Sequence, residues 1–220
     1  MRGCMPRAPA QSRTLIFGGT FDPPHRAHVE LPQAAAGELN CDRIVYIPAA
    51  VNPLKVGSHA PPASPEHRLA MLRLALRDVK NAEISTIEID REGKSYTIDT
   101  LRALVPSLQA SKPSSLHLLI GADQALDFHR WRDWREILAL ATPAVMLRPP
   151  WTPVSFGAAL RQRYDEAESR MWEARTLRTL PMLDVSATEI RSRVVANRPL
   201  DGMVPPAVEA YIREHRLYAT

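Results

Sequence analysis

Short apolar runs that end in small residues recur along this chain, with helix-like stretches between them. That alternation constrains its fold more than any other feature. Leu15-Ile16-Phe17 breaks into Gly18-Gly19, a run over 116–120 breaks into Gly121-Ala122-Asp123, and a run over 180–185 ends at Ser186. Further runs cover Arg43–Pro48 and 144–147. A short apolar, β-branched run closed by glycine or proline has the pattern of a buried strand. Strands separated by helices need crossover connections, which make βαβ units and a parallel sheet. The prediction is an α/β fold, a Rossmann-like doubly wound parallel sheet, finished by a small helical part at about 186–220. Such sheets bind ligands at the carboxyl ends of their strands, near a topological switch point. Gly18-Gly19, Gly121-Ala122-Asp123 and Val185-Ser186 all fall at such ends, so three distant stretches can share one crevice.

Between the strands, 24–37 reads as a helix that Pro32 should kink or break. Ser64-Pro65-Glu66 opens another, with a capping serine and proline at the first helical position. Residues 82–90 read as one or two short strands, 93–96 as a turn, and Thr97 as the start of a helix to Leu104. Helix in two pieces is expected over 125–141, carrying Trp131 and Trp134, and a single amphipathic helix over 160–175. Ser186-Ala187-Thr188-Glu189 is a capping box for the next helix, and Val204-Pro205-Pro206 begins the last. Residues 49–64, rich in proline and holding Lys55 and His59, read as an exposed loop. Residues 1–12, basic and without acids, read as a disordered leader before a single domain over 13–220.

Composition excludes several classes of protein. No run approaches the ~18 apolar residues of a membrane span, and the first 13 residues lack the apolar core of a secretory signal. The two cysteines, Cys4 and Cys41, give neither a disulfide framework nor metal-ligand spacing, which fits a reducing cytoplasm. The net charge is +4 with a pI of about 9.3. The basic residues are scattered rather than blocked, which favours a small polyanionic ligand over nucleic acid.

Chemistry concentrates at 13–28. A strand, a glycine turn and a helix start form an anion site, because unpaired N–H groups and the helix dipole point at it. His25 and His28 lie there three apart, on one helix face. A histidine pair can bind zinc, but the glutamate of a zinc-protease helix is missing and no third ligand is evident. Ser186, Thr188 and Arg191 form a second cluster at another helix start, suited to a second phosphate. Lys55 is a loop lysine able to close over a polyphosphate, and Trp131 is able to stack on a flat heterocycle.

G-G-T-F-D-P-P-H-R-A-H over 18–28 resembles the signature of the nucleotidylyltransferase superfamily, G-G-[ST]-F-D-P-x-H-x-G-H. V-S-A-T-E-I-R over 185–191 resembles its second signature, I-S-S-T-x-I-R. With S-Y-T-I-D-T-L (95–101), G-A-D (121–123), F-H-R-W (128–131) and the ending V-P-P-A-V-E-A-Y-I-R-E-H-R-L-Y, the pattern is similar to the bacterial nicotinate-nucleotide adenylyltransferase family from Arg13 to Tyr218. Ala27 and Ala187 depart from it, where the signatures have glycine and serine.

The resemblance implies transfer of the adenylyl group of ATP to nicotinate mononucleotide in NAD biosynthesis, with Mg2+ arriving on the ATP phosphates. It implies that His25, His28 and Arg191 are catalytic. Gly18, Gly19, Thr20, Phe21, Lys55, Gly121, Asp123, Ser186 and Thr188 would hold ATP, and Thr97 and Trp131 the pyridine nucleotide. It implies a cytoplasmic enzyme without a nucleic-acid or membrane partner, and a homo-oligomer is compatible with it. Another adenylyl- or cytidylyltransferase, or a nucleotide-binding module without turnover, would share most of these residues.

Overall fold

A computed structural model describes residues 12–50, 63–91, 93–109 and 114–219. The strands are β1 (Ser12–Gly19), β2 (Arg43–Pro48), β3 (Ala82–Ile84), β4 (Ser114–Gly121) and β5 (Thr142–Met146). They form one sheet in the order β3-β2-β1-β4-β5, parallel throughout. The expected α/β parallel sheet is therefore present, and β1 begins at Ser12, inside the stretch read as a leader. The helices are α1 (Arg26–Leu39), α2 (Pro65–Leu76), α3 (Ile87–Arg91), α4 (Thr97–Gln109), α5 (Ala122–Leu126), α6 (Trp134–Leu140), α7 (Pro153–Arg163), α8 (Glu166–Ala174), α9 (Ala187–Val195) and α10 (Pro206–Glu214).

Successive strand side chains point to opposite faces, and this sequence fills both. Leu15 and Phe17 of β1, Ile44 and Tyr46 of β2, and Ala144 and Met146 of β5 share a core with α1 and α2. Ile16, Val45, Ile47, Leu118, Ile120 and Val145 share the opposite core with residues of α4 to α8. Leu15 and Ile44 are fully buried, each contributing about 1.5–3 kcal/mol relative to exposure. A third core joins α2 to α9 and α10 through Met71, Ala75, Ile190, Val208 and Ile212.

Four expectations need correction. α1 is one helix from Arg26 to Leu39 with Pro32 buried inside it. Proline removes one helical N–H, and burial of Pro32 on the core side of α1 offsets that loss. Only 82–84 is strand in the 82–90 stretch. The Thr86 hydroxyl bonds Asp90 at 2.7 Å, and the Asp90 N–H returns to the Thr86 carbonyl at 2.8 Å, turning the chain into α3.

The helix expected over 160–175 is two helices. Tyr164 is extended, and Asp165 caps α8 by accepting the Glu168 N–H at 2.8 Å. The strand expected over 180–185 is absent. The chain touches the sheet edge earlier, where Thr176 bridges Val145. It is then drawn aside: the Glu38 carboxylate accepts the N–H groups of Arg178 and Thr179, at 2.9 and 3.0 Å, and the Thr179 hydroxyl at 2.6 Å.

Candidate active site

The sheet opens between β1 and β4. The β1–β4 ladder stops at Ile16–Leu118, whereas β1–β2 continues to Gly19–Pro48 and β4–β5 continues to Gly121–Met146. The two central strands thus part at their carboxyl ends. This is also where the strand order reverses, the place where such sheets take ligands.

The loop after β1 enters this crevice and is rigidly set. Phe21 adopts a left-handed backbone with φ of 51°, a conformation that costs an L-residue about 1–2 kcal/mol. Packing holds it there: its ring is 1% exposed and lies against Phe17 and His28, with centroids at 5.7 and 5.1 Å. A Cβ on Gly19 would fall 3.0 Å from that buried ring, closer than side-chain carbons ordinarily pack. Arg68 is also buried and staples the loop to its surroundings. Its guanidinium donates to the carbonyls of Thr20 at 2.8 Å and Ala49 at 2.7 Å.

His25 is the N-cap of α1 and His28 its third residue. The His25 N–H donates to His28 Nδ1 at 3.2 Å, and the two rings stack with centroids 3.6 Å apart and planes 24° apart. His25 is buried and His28 half-buried. The expected pairing on one face is realised, with His25 just outside the helix rather than within it. Ala27, between them, is buried in the α1 core.

The second cluster joins the first. Ser186 caps α9, its Oγ accepting the Glu189 N–H at 3.2 Å. Arg191 Nη1 donates to the Asp22 carbonyl at 2.7 Å, across 169 residues of sequence, and its Nη2 faces Thr188 Oγ1 at 3.5 Å. The starts of α1 and α9 are thus linked through one loop, and their combined partial charge favours an anion.

Gly121 and Asp123 stand at the adjacent strand end. A Cβ on Gly121 would lie 2.5 Å from Asp123 Oδ1. The exposed Asp123 carboxylate faces Arg148, which follows β5, at 3.6 Å. Thr97 opens α4 and Trp131 follows a turn of 3-10 helix at Phe128–Arg130. Arg132 brings their neighbourhoods together, its guanidinium lying 5.1 Å from the Tyr96 ring and 3.5 Å from Asp99. Trp131 stacks on Phe128 with centroids 5.0 Å apart. Lys55 lies outside the described residues.

The Tyr218 hydroxyl also reaches this loop, donating to Asp22 Oδ1 at 2.6 Å, and Arg68, Arg148 and Tyr218 are not legible in the sequence as members of this region. Arg68 looks like a solvated helix residue until the carbonyls it meets are known, and no sequence signal pairs 22 with 218. Among the described residues, no group of three or more His, Cys, Asp or Glu side chains is placed to hold a metal ion, and no helix is long and apolar enough to cross a membrane.

An all-parallel sheet that parts between β1 and β4 over an anion site is the architecture of a nucleotide-binding α/β protein. Residues 16–193 match the cytidylyltransferase-like family, and the chain belongs to it. The probable nicotinate-nucleotide adenylyltransferase of Roseiflexus sp. (strain RS-1) is 42% identical, over 92% of this chain and 96% of that protein. The one from Chromobacterium violaceum is 38% identical, over 94% and 99%. Within the wider family, the chain therefore belongs with the nicotinate-nucleotide adenylyltransferases. Its fold is like that of a Plasmodium falciparum nicotinic acid mononucleotide adenylyltransferase complexed with APC. The TM-score is 0.70 at 16% identity, over 94% of this chain and 98% of that one.

Proposed function

We propose that the protein transfers the adenylyl group of ATP to nicotinate mononucleotide, forming nicotinate adenine dinucleotide and pyrophosphate. A phosphate oxygen of the mononucleotide attacks the α-phosphorus of ATP. The bond from that phosphorus to the bridging oxygen breaks, and pyrophosphate leaves with the electron pair. The nucleophile is already an anion, so what the reaction needs is alignment and stabilisation of phosphate charge.

The observation that carries this reading is the link between the two helix starts. The stacked His25–His28 pair and Arg191 meet around one loop, at the carboxyl end of β1, where its ladder with β4 stops early. In this reading His25 and His28 hold charge on the α-phosphate in the transition state, and Arg191, Ser186 and Thr188 hold the β- and γ-phosphates. Gly18, Gly19, Thr20 and Phe21 let the backbone approach the nucleotides, with Gly121 and Asp123 on the adenosine side. Lys55 adds a phosphate contact, and Thr97 and Trp131 receive the pyridine ring. Magnesium would arrive with the substrate, bound to the ATP phosphates, and would offset part of their charge. The reaction would run in the cytoplasm.

The test is a panel of acceptors offered with magnesium-ATP. Nicotinate mononucleotide should give pyrophosphate and nicotinate adenine dinucleotide in equal amounts. Release with phosphopantetheine instead would assign a sister activity, and the absence of release with every acceptor would leave a binding module.

A further inference from the structure

The chemistry above makes no use of the Asp22 carboxylate, yet Asp22 is only 6% exposed and sits inside the phosphate loop. Its Oδ1 accepts the Tyr218 hydroxyl at 2.6 Å and the Ala63 N–H at 3.1 Å. Its main-chain carbonyl accepts the Arg191 guanidinium at 2.7 Å. One residue therefore ties the loop to three other segments: the lead-in to α2, the start of α9, and the carboxyl-terminal end of the described chain.

Tyr218 reaches Asp22 across 196 residues of sequence. It does so with a left-handed backbone, φ 62°, and with its side chain packed against the α2–α9–α10 core. Chain ends fray unless something ties them down, and here a single hydroxyl is delivered to a buried carboxylate. Burial and the nearby Asp22 charge push the Tyr218 phenol above its ordinary range, so it remains a donor throughout neutral pH. Hydrogen bonds to charged acceptors are the strong ones, and this one fixes the side chain of a residue whose carbonyl aims Arg191.

We propose that Tyr218 is a positioning residue for ATP: through Asp22 it fixes the loop that aims Arg191 and leads into His25 and His28. The inference rests on the function proposed above. Its consequence is that Tyr218, beyond the last helix, belongs to the phosphate site rather than merely closing the fold.

Tyr218→Phe keeps the ring and deletes the hydroxyl. KM for ATP should rise about tenfold while KM for the mononucleotide stays within about twofold, because Thr97 and Trp131 sit on other elements. In an Asp22→Ala background, which keeps the carbonyl that holds Arg191, the same change should shift KM for ATP by less than about twofold. Leu217→Ala, which removes tail packing and leaves the hydroxyl, should lower Tm without moving KM for ATP. A Tyr218→Phe enzyme with the wild-type KM for ATP, or an equal effect in both backgrounds, would overturn the proposal. If the wild-type protein forms no dinucleotide, the assigned function fails instead. Calorimetric titration with magnesium-ATP still decides the role of Tyr218, with about tenfold weaker binding expected for Tyr218→Phe and unchanged binding overturning it.

Discussion

Gly18 and Gly19 are adjacent and alike in sequence, but the structure gives them different reasons to be glycine. A methyl group on Gly19 would meet the Phe21 ring at 3.0 Å, whereas on Gly18 its nearest neighbour is the Ile47 carbonyl at 3.9 Å. Gly19→Ala should therefore destabilise the protein by about 1–3 kcal/mol in urea unfolding, the usual cost of forcing extra volume into a packed site. Gly18→Ala should leave stability within about 0.5 kcal/mol and still weaken ATP binding. Gly18 is exposed near the carboxyl end of β1, where the proposed function has a nucleotide approach the backbone. An alanine at Gly18 that leaves both stability and ATP affinity unchanged would remove this position from the site. Arg191 is a comparable case, because its guanidinium is already shared between Asp22 and Thr188. Arg191→Lys, losing the planar fork, should raise KM for ATP nearly as much as Arg191→Ala.

Among the elements, α7 and α8 occupy most of the stretch 151–179. They extend the core on one sheet face through Phe156, Leu160 and Trp172. The Tyr164 hydroxyl donates to the carbonyls of Ala125 and Leu126 at the end of α5, at 2.7 and 3.1 Å. Trp172 lies edge-on to Phe128, centroids 5.1 Å apart, and Phe128 is the shelf beneath Trp131. Trp172→Ala should cost about 3–5 kcal/mol of stability. At a temperature where the variant is still folded, it should also raise KM for the mononucleotide more than KM for ATP. An unchanged mononucleotide KM would separate this support from the Trp131 site. The same elements show where sequence reading succeeds. Strands β1, β2, β4 and β5 were legible because both their faces are apolar, and the start of α9 because Ser186 and Glu189 mark it locally. The α7–α8 break and the missing strand at 180–185 were not. They depend on Asp165 finding the Glu168 N–H and on Glu38 finding Arg178 and Thr179, and contacts such as the last leave no local pattern. For the site, the stretch 18–28 announced itself, whereas Arg68 and Tyr218 gain their roles only when distant segments meet.

Across the whole molecule, one parallel sheet parts at β1 and β4, and segments from the start, middle and end of the chain close around the opening. Global stability carries its own pH signature in His117, on central strand β4. Burial first, and then the charge of Arg13, lower its pKa from 6.5. The unfolded chain therefore binds this proton first: the His117 contribution is complete above pH 6.5 and is lost as pH falls below it. Thermal melts between pH 7.5 and 5 should show Tm falling, with a shallower slope for His117→Gln, and an unchanged slope would assign the acid sensitivity elsewhere. The proposed role of the paired imidazoles in the crevice is to stabilise charge on the phosphate in the transition state. It is tested most directly by His28→Ala under saturating magnesium-ATP and nicotinate mononucleotide. The expected result is a fall in kcat of about 10²–10³, the size seen when one transition-state donor is removed, with KM for ATP nearly unchanged. A His28→Ala enzyme that turns over at close to the wild-type rate would contradict it.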